Sequence, residues 1–275
     1  MKSKNNTAMK WNRIAIIGAG NLGYSIARGL IASDAVKKEN LILTEKNPKR
    51  LESLVDEGFN ATEDNPGAVK QSELIMLVVK PWQIDEVLAE IKNEIQPDKH
   101  VLISCVTGVQ SSHIYSALAS TPPLFRVMPN TGIAIMESMS CIASFHATNE
   151  QKVAVKTIFG NLGEVLFIPE EQMPAATALA GCGIAFALRF IRAAIQGGVE
   201  IGFSSEDAKL MAAQITKGAA ELILTNNTHP EAEIDKVTTP KGITITGLNE
   251  MEHTGFSSSI IKGLLASYNK IEKKE

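Results

Sequence analysis

The run IAIIGAGNLG at residues 14–23 constrains this chain more than any other feature. Its apolar opening predicts a buried strand over Arg13–Ile17. Gly18, Gly20 and Gly23 follow at once in the G-x-G-x-x-G spacing, and a helical pattern over Leu22–Ala32 comes next. The first glycine permits a tight turn, the second lets the backbone approach a pyrophosphate, and the third lets helix and strand pack closely. The helix N-terminus offers N–H groups and a partial positive charge to phosphates. In this strand–turn–helix setting the pattern predicts dinucleotide binding rather than a merely structural turn.

The next hundred residues repeat the alternation. Leu41–Thr44, Leu74–Val79, Val101–Cys105 and Leu124–Met128 are candidate strands, and Pro48–Glu57 and Ile84–Ile95 candidate helices. Such alternation predicts crossover units and a mostly parallel sheet. The run LIMLVV at 74–79 lacks polar alternation, as a strand covered on both faces should. After about residue 170 the β signal stops. Pro174–Gly202, Ser205–Asn226 and a stretch near Ile243–Glu272 read as helices, with Gly197 and Gly198 marking a kink or a close helix crossing in the first. The apolar stretch Met173–Leu188 carries Pro174, Gly181 and Gly183. It is too short and broken to span a bilayer and reads as a buried helix.

Composition removes several function classes. The 275 residues allow one or two domains. With 27 basic and 30 acidic residues the net charge is −3, so no large positive field draws in nucleic acid or an anionic membrane. Cys105, Cys141 and Cys182 form no CxxC pair and have no histidine at metal-ligand spacing, which fits inert thiols in a reducing cytoplasm and no metal site. The N-terminal MKSKNNTAMKW is followed by no secretory h-region. No histidine–carboxylate pairing or G-x-S-x-G elbow supports triad hydrolysis.

Ligands in open α/β sheets bind at the carboxyl ends of strands, so the residues there are candidates. Glu45 follows the second strand, where an acid accepts ribose hydroxyls and repels a 2′-phosphate. The neighbouring Lys46 could do the reverse, leaving NADP(H) and NAD(H) both open. Lys80, before Pro81, could meet phosphate or developing charge, or simply be a surface lysine. Cys105 reads as a small core hydrophobe. In the segment TTPKGITIT at 238–246, Gly242, Ile243 and Thr244 would present free N–H groups at a helix start, an arrangement that suits a carboxylate. The plainer reading is that Thr239 caps that helix. Glu170 and Glu171 could hold a substrate amine or simply face solvent, and Arg189 and Arg192 suit a salt bridge or dimer contact.

IIGAGNLGYSIARGL, VVKPWQ, SCVTGV, RVMPNTG, TALAGCGIAFALRFIRAAIQGGVEIGF and VTTPKGITITGLNEME, in this order, resemble the pyrroline-5-carboxylate reductases from about Arg13 to Lys270. The resemblance implies an α/β fold, with a Rossmann dinucleotide-binding domain over 1–169 and an all-helical dimerisation and substrate domain over 170–275. It implies hydride transfer from NADP(H), with NAD(H) as an alternative, to the ring imine of 1-pyrroline-5-carboxylate, giving L-proline, in a homodimer or higher homo-oligomer. By the same resemblance Ile17, Gly18, Ala19, Gly20, Asn21 and Leu22 cradle the pyrophosphate. Glu45, Lys46 and Asn65 lie at the adenosine, while Val78, Lys80, Pro81, Cys105 and Thr107 line the nicotinamide side. Asn130, Thr131 and Glu170 stand near the substrate. Thr239, Gly242, Ile243 and Thr244 form the loop that holds its carboxylate, with Thr244 and Lys80 as the catalytic candidates.

The chain departs from the family pattern at four places. The usual P-G-G loop reads Pro240-Lys241-Gly242, so Lys241 either has a negative φ or is strained. MPNTP becomes MPNTG, GSGPAY becomes GCGIAF, and Glu45 occupies a place that is usually small and polar. Two rival readings are a β-hydroxyacid-type dehydrogenase and a non-catalytic dinucleotide sensor. The helix that would carry the former's lysine has Arg189 and Arg192 but no lysine before Lys209.

Overall fold

A computed structural model describes residues 11–272. The chain divides into two compact units, Met1–Gly181 and Cys182–Glu275.

The first unit is built on one eight-stranded sheet of order β3-β2-β1-β4-β5-β6-β7-β8. The strands are β1 (Ile14–Ile17), β2 (Leu41–Thr44), β3 (Asn60–Thr62), β4 (Leu74–Leu77), β5 (Val101–Ser104), β6 (Leu124–Met128), β7 (Ser138–Phe145) and β8 (Gly163–Phe167). All neighbours run parallel except β6 and β7, which are antiparallel. The helices are α1 (Asn21–Ala32), α2 (Pro48–Asp56), α3 (Asn65–Lys70), α4 (Ile84–Ile91), α5 (Ser111–Leu118), α6 (Asn149–Gly160) and the single turn α7 (Met173–Ala176). From β3 to β6 this is the doubly wound order whose switch point lies between β1 and β4.

Strand chemistry explains the two cores. In β1 and β4 every residue is buried. Ile14, Ile16, Leu74 and Met76 enter one apolar layer, while Ala15, Ile17, Ile75 and Leu77 enter the other. Period-two alternation here separates two cores rather than core from solvent. Met173 packs with Met128 and Ala143, which draws 170–181 onto the sheet unit. This compact unit runs to Gly181.

The second unit comprises α8 (Gly183–Glu200), α9 (Ser205–Asn226), α10 (Pro230–Lys236), α11 (Ile243–His253) and α12 (Phe256–Glu272). Ser204 caps α9 by accepting the Asp207 N–H at 3.1 Å. A Cβ on Gly198 would meet the Ala208 Cβ at 3.0 Å, so this glycine serves a close crossing of α8 and α9. The final stretch is not one helix, because Gly255, at φ +82°, breaks it between α11 and α12. The apolar stretch over 173–188 is not the buried helix expected. Of the most apolar window within Glu170–Glu200 only 6% is buried in this chain. Among the described residues of the second unit, Ala208 and Ala212 alone are buried, so it has almost no core of its own.

Candidate active site

A cleft of about 820 Å³ opens at the carboxyl ends of β1, β2, β4 and β5. Its floor is the glycine turn. Gly18 has φ +99°, and a Cβ there would lie 2.7 Å from the Val78 carbonyl oxygen, so only glycine fits. A Cβ on Gly23 would strike the Gly18 carbonyl, which fixes how closely α1 meets β1. A Cβ on Gly20 would meet nothing within 4 Å. Space is thus kept open where the backbone of the α1 N-cap faces the cleft, a cradle that fits a pyrophosphate.

The cleft gathers Ile17, Gly18, Gly20, Asn21, Leu22, Glu45, Lys46, Asn65, Val78, Lys80, Pro81, Cys105, Thr107, Asn130 and Thr131. Ala19 is not on its surface. It is buried, and its carbonyl accepts the Arg50 Nε–H at 3.3 Å. Burial pushes the Cys105 thiol up to about 12, which fits the expected inert core residue.

Asn130 is held firmly at the cleft end. Its Oδ1 accepts the Gly132 N–H at 2.9 Å, and its Nδ2 donates to the Ala180 carbonyl at 3.1 Å. Ala180 lies in a π-helical turn over Thr177–Cys182, which re-aims a carbonyl that a regular helix would use internally. The glycine of MPNTG supplies an N–H that proline lacks, so this departure brings a hydrogen bond with it.

Glu170 does not line the cleft. Its carboxylate accepts from Ser111 N at 2.8 Å, Ser111 Oγ at 2.6 Å and Arg126 Nη1 at 2.6 Å, and it lines a separate hollow with Phe145 and Phe167. Thr239 does not cap α11: Gly242 is the N-cap, and no side chain caps it. The Gly242 N–H is not free, because it donates to the Thr239 carbonyl at 2.9 Å. Lys241 has φ +59°, so the strained alternative holds. Thr239, Gly242, Ile243 and Thr244 all belong to the second unit, where Ile243 and Thr244 are exposed at the start of α11.

Sequence inspection missed two residues at the adenosine end. Lys46 Nζ donates to Glu86 at 2.6 Å and to Glu90 at 2.7 Å, and Asn65 Nδ2 donates to the other Glu90 oxygen at 2.6 Å. The only local trace was the i,i+4 spacing of Glu86 and Glu90 on α4.

A doubly wound sheet with a glycine cradle at its switch point defines a dinucleotide-binding protein of the Rossmann class. The pyrroline-5-carboxylate reductase dimerisation model matches residues 170–274, and a model described as NADP oxidoreductase coenzyme F420-dependent matches 13–108. The chain belongs to the pyrroline-5-carboxylate reductase family. It is 46% identical to pyrroline-5-carboxylate reductase 2 of Dictyostelium discoideum over 98% of its own length and 95% of that protein's. It is also 46% identical to reductase 1 of the same organism, but spans only about half (49%) of that longer protein. Among solved structures, the Plasmodium falciparum pyrroline carboxylate reductase with NADP bound superposes with a TM-score of 0.85 at 28% identity, covering 94% of this chain and 96% of that one. The Coxiella burnetii pyrroline-5-carboxylate reductase does so with 0.88 at 26% identity, covering 95% and 98%.

Proposed function

We propose that the protein reduces the ring C=N of 1-pyrroline-5-carboxylate to L-proline with NAD(P)H. The observation that carries this reading is the open cradle at Gly20, continuous with a cleft that ends on the fixed Asn130 and on Thr131. When bound, NAD(P)H supplies the hydride, and the protein's task is to position the imine carbon and manage charge.

The exposed N–H groups of Ile243 and Thr244 at the start of α11 suit the substrate carboxylate, helped by the helix dipole. The Thr244 hydroxyl can hold the proton on the ring nitrogen, since a hydroxyl both donates and accepts. Lys80, lining the cleft, supplies positive charge. Asn130 orients the bound ring through an amide already fixed at both ends. The hydrogen bonds of Glu170 to Ser111 and Arg126 support a structural role for it in the sheet unit.

The helical unit forms a homodimer or a higher homo-oligomer. Its exposed Leu188, Ile215, Leu222, Ile261 and Leu265 leave a large apolar surface uncovered in one chain, and a second copy would bury it. The same surface accounts for the apolar 170–200 segment without a bilayer. Three free cysteines, Cys105 and Cys141 buried and Cys182 partly so, suit a reducing cytoplasm.

The test is to follow loss of reduced-cofactor absorbance on adding 1-pyrroline-5-carboxylate, with proline identified as product. Cofactor binding without turnover would overturn the reductase reading and favour a dinucleotide sensor.

A further inference from the structure

We propose that the adenosine end of this cleft selects NADH over NADPH, because Glu45 and Glu86 line it while Lys46 is already held by two carboxylates. The proposal rests on the dinucleotide reading of the cleft and adds the choice between its two forms.

The two forms differ only by the 2′-phosphate, a dianion that sits beside the end of the second strand. Four charged side chains line the cleft: Glu45, Lys46, Lys80 and Glu86. Glu45 follows β2 directly, and its Oε1 accepts the Asn47 N–H at 2.9 Å, which fixes the carboxylate there. Oε2 has no hydrogen-bond partner among the described residues, so it is free to accept a ribose hydroxyl. Against a phosphate the same oxygen is a like charge.

Lys46 is the cation in the place to offset this, but it is committed. It bridges Glu86 at 2.6 Å and Glu90 at 2.7 Å. Glu90 is further fixed by the Asn65 amide, and Asn65 itself is buried. Two of the three Lys46 N–H donors and its charge are already shared with Glu86 and Glu90, so a phosphate would compete with both carboxylates for it while facing Glu45 and Glu86. Lys80 follows β4, and β1 lies between β4 and β2, so its anchor is two strand spacings, about 10 Å, from that of Glu45. Arg50, in the first turn of α2, is engaged as well. Its guanidinium carbon lies 4.4 Å from the Tyr24 ring centroid, and its Nε donates to the Ala19 carbonyl. Two carboxylates, Glu45 and Glu86, therefore line this end of the cleft, and the neighbouring Lys46 ammonium is shared between Glu86 and Glu90.

The proposal is tested by titrating the full chain calorimetrically with ADP-ribose and with 2′-phospho-ADP-ribose, beside steady-state rates with NADH and NADPH. The unphosphorylated fragment should bind at least about tenfold more tightly. Glu45→Gln should raise affinity for the phosphorylated fragment about tenfold, and Glu86→Gln, at an exposed helix position, should move the ratio the same way. Equal or tighter binding of the phosphorylated fragment to the wild type would overturn the proposal, as would an unchanged ratio in both variants. Turnover with NADPH at least as fast as with NADH, alongside that binding result, would leave the reductase reading standing and remove only the selectivity. Selective binding of ADP-ribose without any turnover would do the opposite.

Discussion

Arg126 Nη1 on β6 donates to Glu170 Oε1 at 2.6 Å, and the same carboxylate caps the first turn of α5 through Ser111. Three segments, β6, α5 and the turn leading into α7, are thus joined by one side chain. Arg126 is buried at 7% exposure, so it cannot turn to solvent if its partner is lost.

Glu170→Ala should therefore act on stability rather than on substrate binding. Breaking a buried pair from one side leaves an uncompensated charge. Because the Glu170 side chain keeps 21% of its exposure, a cost of about 2 kcal/mol is expected, below the range for fully buried pairs. Thermal denaturation should show a loss of about 4–8 °C, with KM for the substrate within about twofold of wild type. Burial raises the carboxyl pKa, but the Ser111 and Arg126 hydrogen bonds outweigh it and hold it below the ordinary 4.5. A lowered folded-state pKa gives stability that is complete above 4.5 and fades as pH falls through the folded value. Glu170→Gln should flatten the acid limb of a stability-against-pH curve, and an unchanged limb would remove this account.

Gly20 and Gly18 should fail differently. A side chain at Gly20 meets only the open cleft, and the residue has φ −64°, so Gly20→Val should fold with an unaltered melting temperature. It should nonetheless lose measurable cofactor binding, because the valine occupies the cradle. Gly18→Ala puts its Cβ against Val78 at φ +99° and should destabilise the fold itself. Cofactor titration and thermal denaturation of both variants separate the two effects. Retained binding in Gly20→Val would count against the cradle.

Lys241 stands in the left-handed region at φ +59°, where a Cβ costs about 1 kcal/mol or more. Lys241→Gly should relieve that strain and raise stability by roughly 0.5–1 kcal/mol, partly offset by the greater freedom of glycine in the unfolded chain. Chemical denaturation midpoints measure it directly. A lower midpoint would mean that the lysine side chain contributes more than its backbone costs.

The sequence made the cradle and the central strands legible for a local reason. Gly18, Gly20 and Gly23 lie within six consecutive residues, and β1, β2, β4, β5 and β6 are short, mainly apolar runs buried on both faces. β7 was hidden because Ser138 and Ser140 interrupt its apolar pattern. Both serines are buried, and their hydroxyls lie 3.3 Å apart. β3 carries no apolar run at all. The placement of Glu170 escaped because its partners stand 44 and 59 residues away, and the Lys46 pairs with Glu86 and Glu90 span 40 and 44. No periodicity reports such distances. The exposure of the 173–188 helix was equally hidden, since an apolar stripe looks the same whether it meets its own core or a second chain.

Thr244 is the side chain on which the proposed chemistry leans most. Its hydroxyl sits exposed in the first turn of α11, and no hydrogen bond to another described residue occupies it. Thr244→Ala should lower kcat/KM by about a hundredfold, the usual range for losing a positioned proton-transfer group. KM should rise little, because the N–H groups that suit the carboxylate remain. Thr244→Ser keeps the hydroxyl and should recover most of the rate, whereas Thr244→Val keeps the shape and should not. A folded Thr244→Val enzyme with wild-type kcat/KM would remove the hydroxyl from the mechanism and leave orientation of the ring as the protein's main contribution.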